Sequence, residues 1–169
     1  MNMALICDGK LVNDAYTSVI ERDEFPAVGA ILVSLEQWQS GRDALLRRQD
    51  PVGIRLQSSE HPEVIADDLD HFDLIELEFP AFRDGRAYSY ARLLRDRYGF
   101  KRELRAVGDV LLEQLHYMSR VGFNAFELDS DTPLADFETA QRDFSVWYQP
   151  AADDRPFAGQ LRHSSENSN

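Results

Sequence analysis

A single cysteine, Cys7, stands among 169 residues. It can close no disulfide within the chain, and no metal-ligand spacing surrounds it. The four thiolates of a common iron–sulfur cluster therefore cannot come from this chain alone. Histidine is sparse as well. His61, His71, His116 and His163 are scattered, with no pair at the helical spacing of a zinc site, so no metal is expected. Long apolar runs are missing, and none nears the roughly 18 residues a membrane-spanning helix needs. The N-terminus, MNMALICDGK, has no basic leader and breaks at Asp8-Gly9, which argues against a signal peptide and for the cytoplasm. Walker loop, GxGxxG, GxSxG and HExxH patterns are all lacking.

Positive charge is also in the minority, with 18 basic against 30 acidic residues and a net charge of -12. Such a field repels phosphate backbones and anionic lipid, so neither nucleic acid nor membrane is an expected partner. It suits a soluble surface or a basic partner. The remaining composition, 43% hydrophobic and 28% charged, is that of a globular domain, and the length suits one domain with a real core.

Patterning predicts an α/β fold. Ala4–Cys7 and Lys10–Val12 flank Asp8-Gly9, a dipeptide suited to a type I′ turn, and read as an N-terminal β-hairpin. Glu21–Phe25 then leads into a loop at Pro26. Strand-like runs follow at Ala30–Ser34, Val52–Leu56, Asp73–Phe79, Leu104–Val107 and Ala125–Leu128. Amphipathic stretches separate them: Leu35, Trp38, Leu45 and Leu46; Val64, Ile65 and Leu69; and Ala87, Ala91, Leu94 and Tyr98. Leu111, Leu115 and Met118 end on a C-cap glycine, Gly122, and Pro133 opens a last helix with Leu134 and Phe137 inward. Five strand–helix units predict a mostly parallel sheet, either open or curled as a partial TIM-like barrel, with the regular rhythm favouring the barrel. Residues 1–150 form the expected domain, and the polar tail 151–169 is expected to be disordered.

The chemistry is expected between Phe79 and Asp109. Asp84, Gly85 and Arg86 fall between a strand and a helix, on the face where parallel sheets carry their sites. There Asp84 suits an N-cap and Gly85 a tight turn. Helix amides with Arg86, Tyr88 and Ser89 would make an oxyanion site, with Arg92 two turns on. Arg83, Arg95, Arg97, Lys101, Arg102 and Arg105 crowd the same window. Arg95 and Arg97 read equally well as surface residues paired with nearby acids. Arg105, in mid-strand, must face a polar cavity or reach a carboxylate such as Glu76 or Glu127, because an unpaired buried guanidinium is costly. Gly108 and Asp109 close that strand, with Asp109 a helix cap or, like Asp84, an acid–base candidate. Phe79, Phe82, Tyr88 and Tyr90 suit either core packing or stacking on a planar ligand, and His116 reads as a structural helix residue.

The run Phe79-Pro80-Ala81-Phe82-Arg83-Asp84-Gly85-Arg86-Ala87-Tyr88-Ser89, then Ala91–Arg95 and Tyr98-Gly99-Phe100, resembles a bacterial domain-of-unknown-function family. Glu103–Val110, Gln114-Leu115, Arg120–Phe123, the Asp8-Gly9 hairpin and Leu35–Trp38 extend the likeness across about residues 4–147. Members of that family are usually encoded beside the haemoprotein subunit of assimilatory sulfite or nitrite reductase and often carry the label "probable oxidoreductase". The resemblance implies a place in sulfite reduction and brings no catalytic residues with it.

Three functions are consistent with these features. One is an accessory protein of assimilatory sulfite reduction that binds an oxyanion or the sulfite/nitrite reductase haemoprotein. Another is an oxidoreductase or other enzyme acting on a small oxyanion, and the third a small-molecule sensor. No cofactor is specified, and a homo-oligomer stays open.

Overall fold

The computed structural model describes residues 3–81 and 83–142. The expected tail, residues 151–169, and Phe82 lie outside the described residues.

The chain opens with β1 (Met3–Cys7) and β2 (Lys10–Val12), an antiparallel pair turned by Asp8 and Gly9. Both turn residues have positive φ, 48° and 75°, as a type I′ turn demands. A two-residue strand, β3 (Thr17–Ser18), follows; its brevity leaves no period to read in the sequence. Next come β4 (Ile31–Ser34), α1 (Leu35–Leu45) and β5 (Val52–Leu56). Ser34 and Gln37 form a capping box that starts α1, and the Gln37 amide also donates to the carbonyls of Val19 and Arg22, fixing the loop after β3. A 3-10 segment (Pro62–His71) leads to β6 (Leu74–Phe79), and α2 (Arg86–Arg92) runs on into a π-helical turn (Leu93–Arg97). The series ends with β7 (Glu103–Gly108), α3 (Leu115–Val121), β8 (Ala125–Asp129) and α4 (Pro133–Arg142). Gly122 has φ +118° at the end of α3, where it is the C-cap.

Among the described residues these strands form one eight-stranded sheet in the order β2-β1-β8-β7-β6-β5-β4-β3. From β3 to β8 every neighbour is parallel and consecutive in sequence; β1 inserts antiparallel beside β8. The order never reverses, so the switch-point crevice of a doubly wound sheet has no counterpart here. The sheet curls instead into a half-barrel.

Strand alternation then separates two faces. Ile31, Val33, Ile54, Leu56, Ile75, Leu77, Leu104, Ala106, Phe126 and Leu128 point to the helix side and merge with Trp38, Ile65, Ala87, Ala91, Leu94, Leu115 and Met118 into the main core. The other face carries Arg55, Glu76, Arg105 and Glu127 in the middle strands.

Three expectations need correction. The α/β alternation is real, but five strict strand–α-helix units are not: the second crossover is a 3-10 segment, and β3 joins the parallel series with no helix after it. Proline at the start and five acidic or histidine side chains in ten residues leave that crossover with only Pro62, Ile65, Asp68 and Leu69 buried, while Val64 is exposed. Leu134, expected inward, is exposed, and no residue of α4 is fully buried, although Phe137 packs against Phe126 at 5.5 Å.

Candidate functional site

The loop after β6 is where an anion site was expected, and the chain fills it with its own carboxylate. Gly85, not Asp84, is the N-cap of α2. Asp84 Oδ1 accepts from the Arg86 backbone N–H at 3.2 Å and from Arg86 Nε at 2.9 Å, and Oδ2 accepts from Nη2 at 2.6 Å. Arg86 Nη2 also donates to Ser58 Oγ at 2.9 Å, and the Tyr90 hydroxyl donates to the Ser58 carbonyl, so the ends of β5 and α2 are tied together. The Arg86 guanidinium, with help from Ser58, holds the Asp84 carboxyl far below its usual range. Asp84 is thus a fixed anion, poorly suited to carry protons near neutral pH. An incoming oxyanion would have to displace a bidentate partner already in place.

The other residues of that helix point elsewhere. Tyr88 packs edge-on against Phe79 (5.0 Å) and tilted against Tyr117 (5.1 Å), and burial raises its hydroxyl pKa. Tyr90 lies against His61, and Ser89 is exposed. Arg92 is exposed and pairs with Asp96 one turn on, at 3.6 Å. Arg95 is structural: it donates to the carbonyls of Gly122, Phe100 and Arg102 and to Asn124 Oδ1, clamping the amino ends of β7 and β8. Arg97 lies over the Tyr98 ring, and Arg102 reaches the Asp70 and Phe72 carbonyls. Gly108 has φ +91°, and a Cβ there would sit 2.5 Å from the Phe79 carbonyl oxygen. Its neighbour Asp109 is exposed and caps nothing; the next helical turn begins from Leu111. His116 is buried within α3.

The centre of the sheet holds the densest electrostatics. The β6–β7 register sets Glu76 opposite Arg105, and the β5–β6 register sets Arg55 opposite Glu76. Glu76 accepts from Arg55 Nε at 2.7 Å and from Arg105 Nη1 at 3.1 Å. Arg105 donates further to Glu103 (2.9 Å from Nε) and to Asp14 (2.9 Å from Nη1), with the Tyr16 ring 6.0 Å away. Arg105 and Glu76 are each 1% exposed. Burial alone would lower the Arg105 guanidinium, but the Asp14 hydrogen bond and the charges of Glu103 and Glu76 outweigh it and hold its pKa above the usual value. Burial pushes the Glu76 carboxyl upward, against the pull of the two guanidiniums. Tyr16, desolvated beside Asp73 and Glu103, is pushed up to about 12, and Cys7, desolvated near Glu103 and Asp8, to about 11.

Arg105 therefore reaches a carboxylate as the sequence required, Glu76 among the two named. Asp14, Tyr16, Glu103 and Arg55 complete the network. Alternation could have placed Arg55 with Glu76, but Asp14 arrives from 91 residues away on a loop without periodicity. Arg86, Arg92 and Arg105 share no ion-pair partner, so the arginines expected to form one oxyanion rim belong to three separate ion-paired sets.

Beside this network lies a cleft of about 610 Å³ lined by Met3, Ala4, Leu5, Leu11, Val12, Asn13, Asp14, Glu127, Ser130, Asp131 and Pro133. Ser130, Asp131 and Pro133 place it just beyond the carboxyl end of β8. Its charged residues are all acidic. Among the described residues no group of three or more His, Cys, Asp or Glu is placed to hold a metal, and no helix is long and apolar enough to cross a membrane.

Neither the curated proteins nor the solved structures yield a match to this chain. Residues 53–158, more than half of the chain and including Arg86 and Arg105, match a family model, and the chain belongs to DUF934, bacterial proteins of unknown function.

Proposed function

We propose that this chain is an accessory protein of assimilatory sulfite reduction that acts by docking to another protein, with the sulfite or nitrite reductase haemoprotein as the expected partner. The pathway rests on the family resemblance drawn from Phe79–Val110. The mode of action rests on one observation: Arg86 and Arg105, the residues best suited to hold an oxyanion, are already bound by Asp84 and by Asp14, Glu76 and Glu103. A protein whose arginines are closed by its own carboxylates, and whose open cleft is acidic, is better fitted to a basic protein surface than to sulfite.

The test is retention of the reductase subunit on the immobilised full chain, together with growth on sulfite after deletion. Retention and a growth defect are expected. No retention and normal growth would overturn the reading. Sulfite-dependent oxidation of an added reductant by the isolated chain would replace it with the enzymatic alternative.

A further inference from the structure

The two edge strands of the half-barrel, β2 and β3, are joined directly by residues 13–16. An eight-stranded sheet laid flat would set those edges about 33 Å apart, whereas the stretch from Val12 to Thr17 reaches at most roughly 18 Å. The segment therefore straps the open side of the half-barrel and crosses its inner face, where Asp14 meets Arg105 and the Tyr16 ring lies 6.0 Å from the guanidinium.

The Asp14 carboxylate takes both terminal nitrogens of Arg105: Oδ2 accepts from Nη1 at 2.9 Å and Oδ1 from Nη2 at 3.3 Å. That end-on fork is the geometry with which arginine recognises a free carboxylate. The guanidinium does not depend on Asp14 for its orientation. Glu76 accepts from Nη1 at 3.1 Å, and Glu103 lies 2.9 Å from Nε and 2.8 Å from Nη2. Of the three carboxylates, Glu76 at 1% and Glu103 at 21% exposure belong to strands, while Asp14 at 40% stands on a segment without regular secondary structure. Asp14 is the one that can leave, because a charge near the surface is rehydrated while a buried one is stranded. It is also the one of the three that lines the cleft of about 610 Å³, which continues from it along Leu5, Val12 and Met3. A single carboxylate thus separates that cleft from a buried, preoriented guanidinium.

We propose that Asp14 is an internal stand-in for a ligand: Arg105 anchors the carboxylate of a small amphiphilic monoacid, which displaces Asp14 and lays its apolar body in the cleft against Leu5, Val12 and Met3. Exchanging one carboxylate for another leaves the charge around Arg105 unchanged. The half-buried Glu127 on the same cleft disfavours ligands with a second negative charge. The site goes beyond the docking reading and does not depend on it.

The probe is sodium hexanoate on the full chain, with acetate, hexylammonium chloride and sodium chloride as controls at equal ionic strength. Asp14→Ala vacates the fork, and its thermal midpoint should rise saturably with hexanoate, less with acetate, and not with hexylammonium or chloride. Combining Asp14→Ala with Arg105→Met should abolish that rise. In the parent the same rise should need about tenfold more hexanoate, the order expected for releasing one partly exposed ion pair. Hydrogen exchange at residues 13–16 of the parent should quicken as hexanoate binds. All variants are checked by circular dichroism and urea midpoint. If Asp14→Ala fails to fold, Asp14→Asn replaces it and keeps the turn bond from the Tyr16 N–H; if Arg105→Met fails, Arg105→Lys keeps the charge and loses the fork. No rise in the Asp14 variant, or an equal rise without the Arg105 guanidinium, overturns the proposal. So does a rise with hexylammonium, which would mark a cation site. So does unaltered exchange at residues 13–16 of the parent in hexanoate well above the concentration that saturates the variant, since Asp14 is then a fixed part of the fold. None of these readouts involves the reductase, so failure of the docking reading leaves this site standing, and the reverse.

Discussion

Replacing Arg105 with methionine tests whether the buried charge network is a matched set. The side chain is 1% exposed and contacts Glu76, Glu103 and Asp14. Removing it leaves Glu76, itself 1% exposed, with Arg55 as its remaining guanidinium, and leaves Glu103 and Asp14 with no cation at hand. Breaking a buried pair from one side costs about 3–5 kcal/mol, because a desolvated charge is stranded. For a chain of this size each kcal/mol moves the melting temperature by about 2–4 °C, so a drop of roughly 10 °C is expected. The double substitution Arg105→Met with Glu76→Met separates this account from simple loss of packing. It removes both fully buried charges, while Arg55, Glu103 and Asp14, at 31%, 21% and 40% exposure, can be hydrated. The double variant should recover most of the loss, to within about 1–2 kcal/mol of the parent. Urea unfolding followed by tryptophan fluorescence and circular dichroism gives both numbers, with an unchanged m-value as the check on two-state behaviour. A single variant that loses under 1 kcal/mol, or a double variant no better than the single, would refute the reasoning.

Other substitutions probe the same framework. Gly108→Ala must adopt φ +91° with its Cβ against the Phe79 carbonyl, and should cost about 2 kcal/mol or more by urea denaturation, whereas Gly29→Ala, at φ +100° in open space, carries the backbone strain alone and should cost less. In the parent, millimolar sulfite, sulfate or phosphate should leave the thermal midpoint unmoved; Asp84→Asn should weaken the clamp on Arg86 and produce a shift, measured by scanning fluorimetry, and a shift of equal size in the parent would contradict the closed site. Asp68 is held below its usual pKa by hydrogen bonds from Arg42 and Trp38, so its contribution is present above the ordinary carboxylate value of 3.8 and is lost as pH falls through the lower folded-state value. Asp68→Asn should therefore lose stability near pH 7 and narrow its gap to the parent on acidification; a constant gap down to pH 2 would refute that assignment.

Much of the fold was legible because its signals are local. Asp8-Gly9 needs positive φ at two residues, and β5 has the predicted bounds Val52–Leu56 because an apolar run between Pro51 and Gln57 has little freedom to slip. The stripe Ala87, Ala91, Leu94 is buried as its spacing demands. Illegible parts depend on distant partners. β3 is a strand only because Thr17 and Ser18 meet Ile31 and Leu32. Whether Arg86 faces an external anion or Asp84 is decided by side-chain rotamers two residues apart, which no periodicity encodes. The cleft is illegible in the sequence for a related reason: its walls come from opposite ends of the described chain, and a lone Glu127 in a strand looks like any solvated residue until β1 is placed beside it.

The insertion of β1 next to β8 also has a consequence for biosynthesis. The hairpin leaves the ribosome well before β8, yet its place in the sheet does not exist until β8 has been made; the Asn124–Asp8 contact spans 116 residues of sequence. Local hairpin closure takes microseconds, whereas synthesis of the intervening chain takes on the order of ten seconds. For that interval Ile6, fully buried in the finished protein, has no core to enter. The hairpin is therefore expected to dock only after β8 is available, together with α4, which follows β8 in the chain and packs against β1 and β2. A nascent chain arrested before Ala125 should accordingly leave its first residues open to protease, and release past Asp129 should protect them.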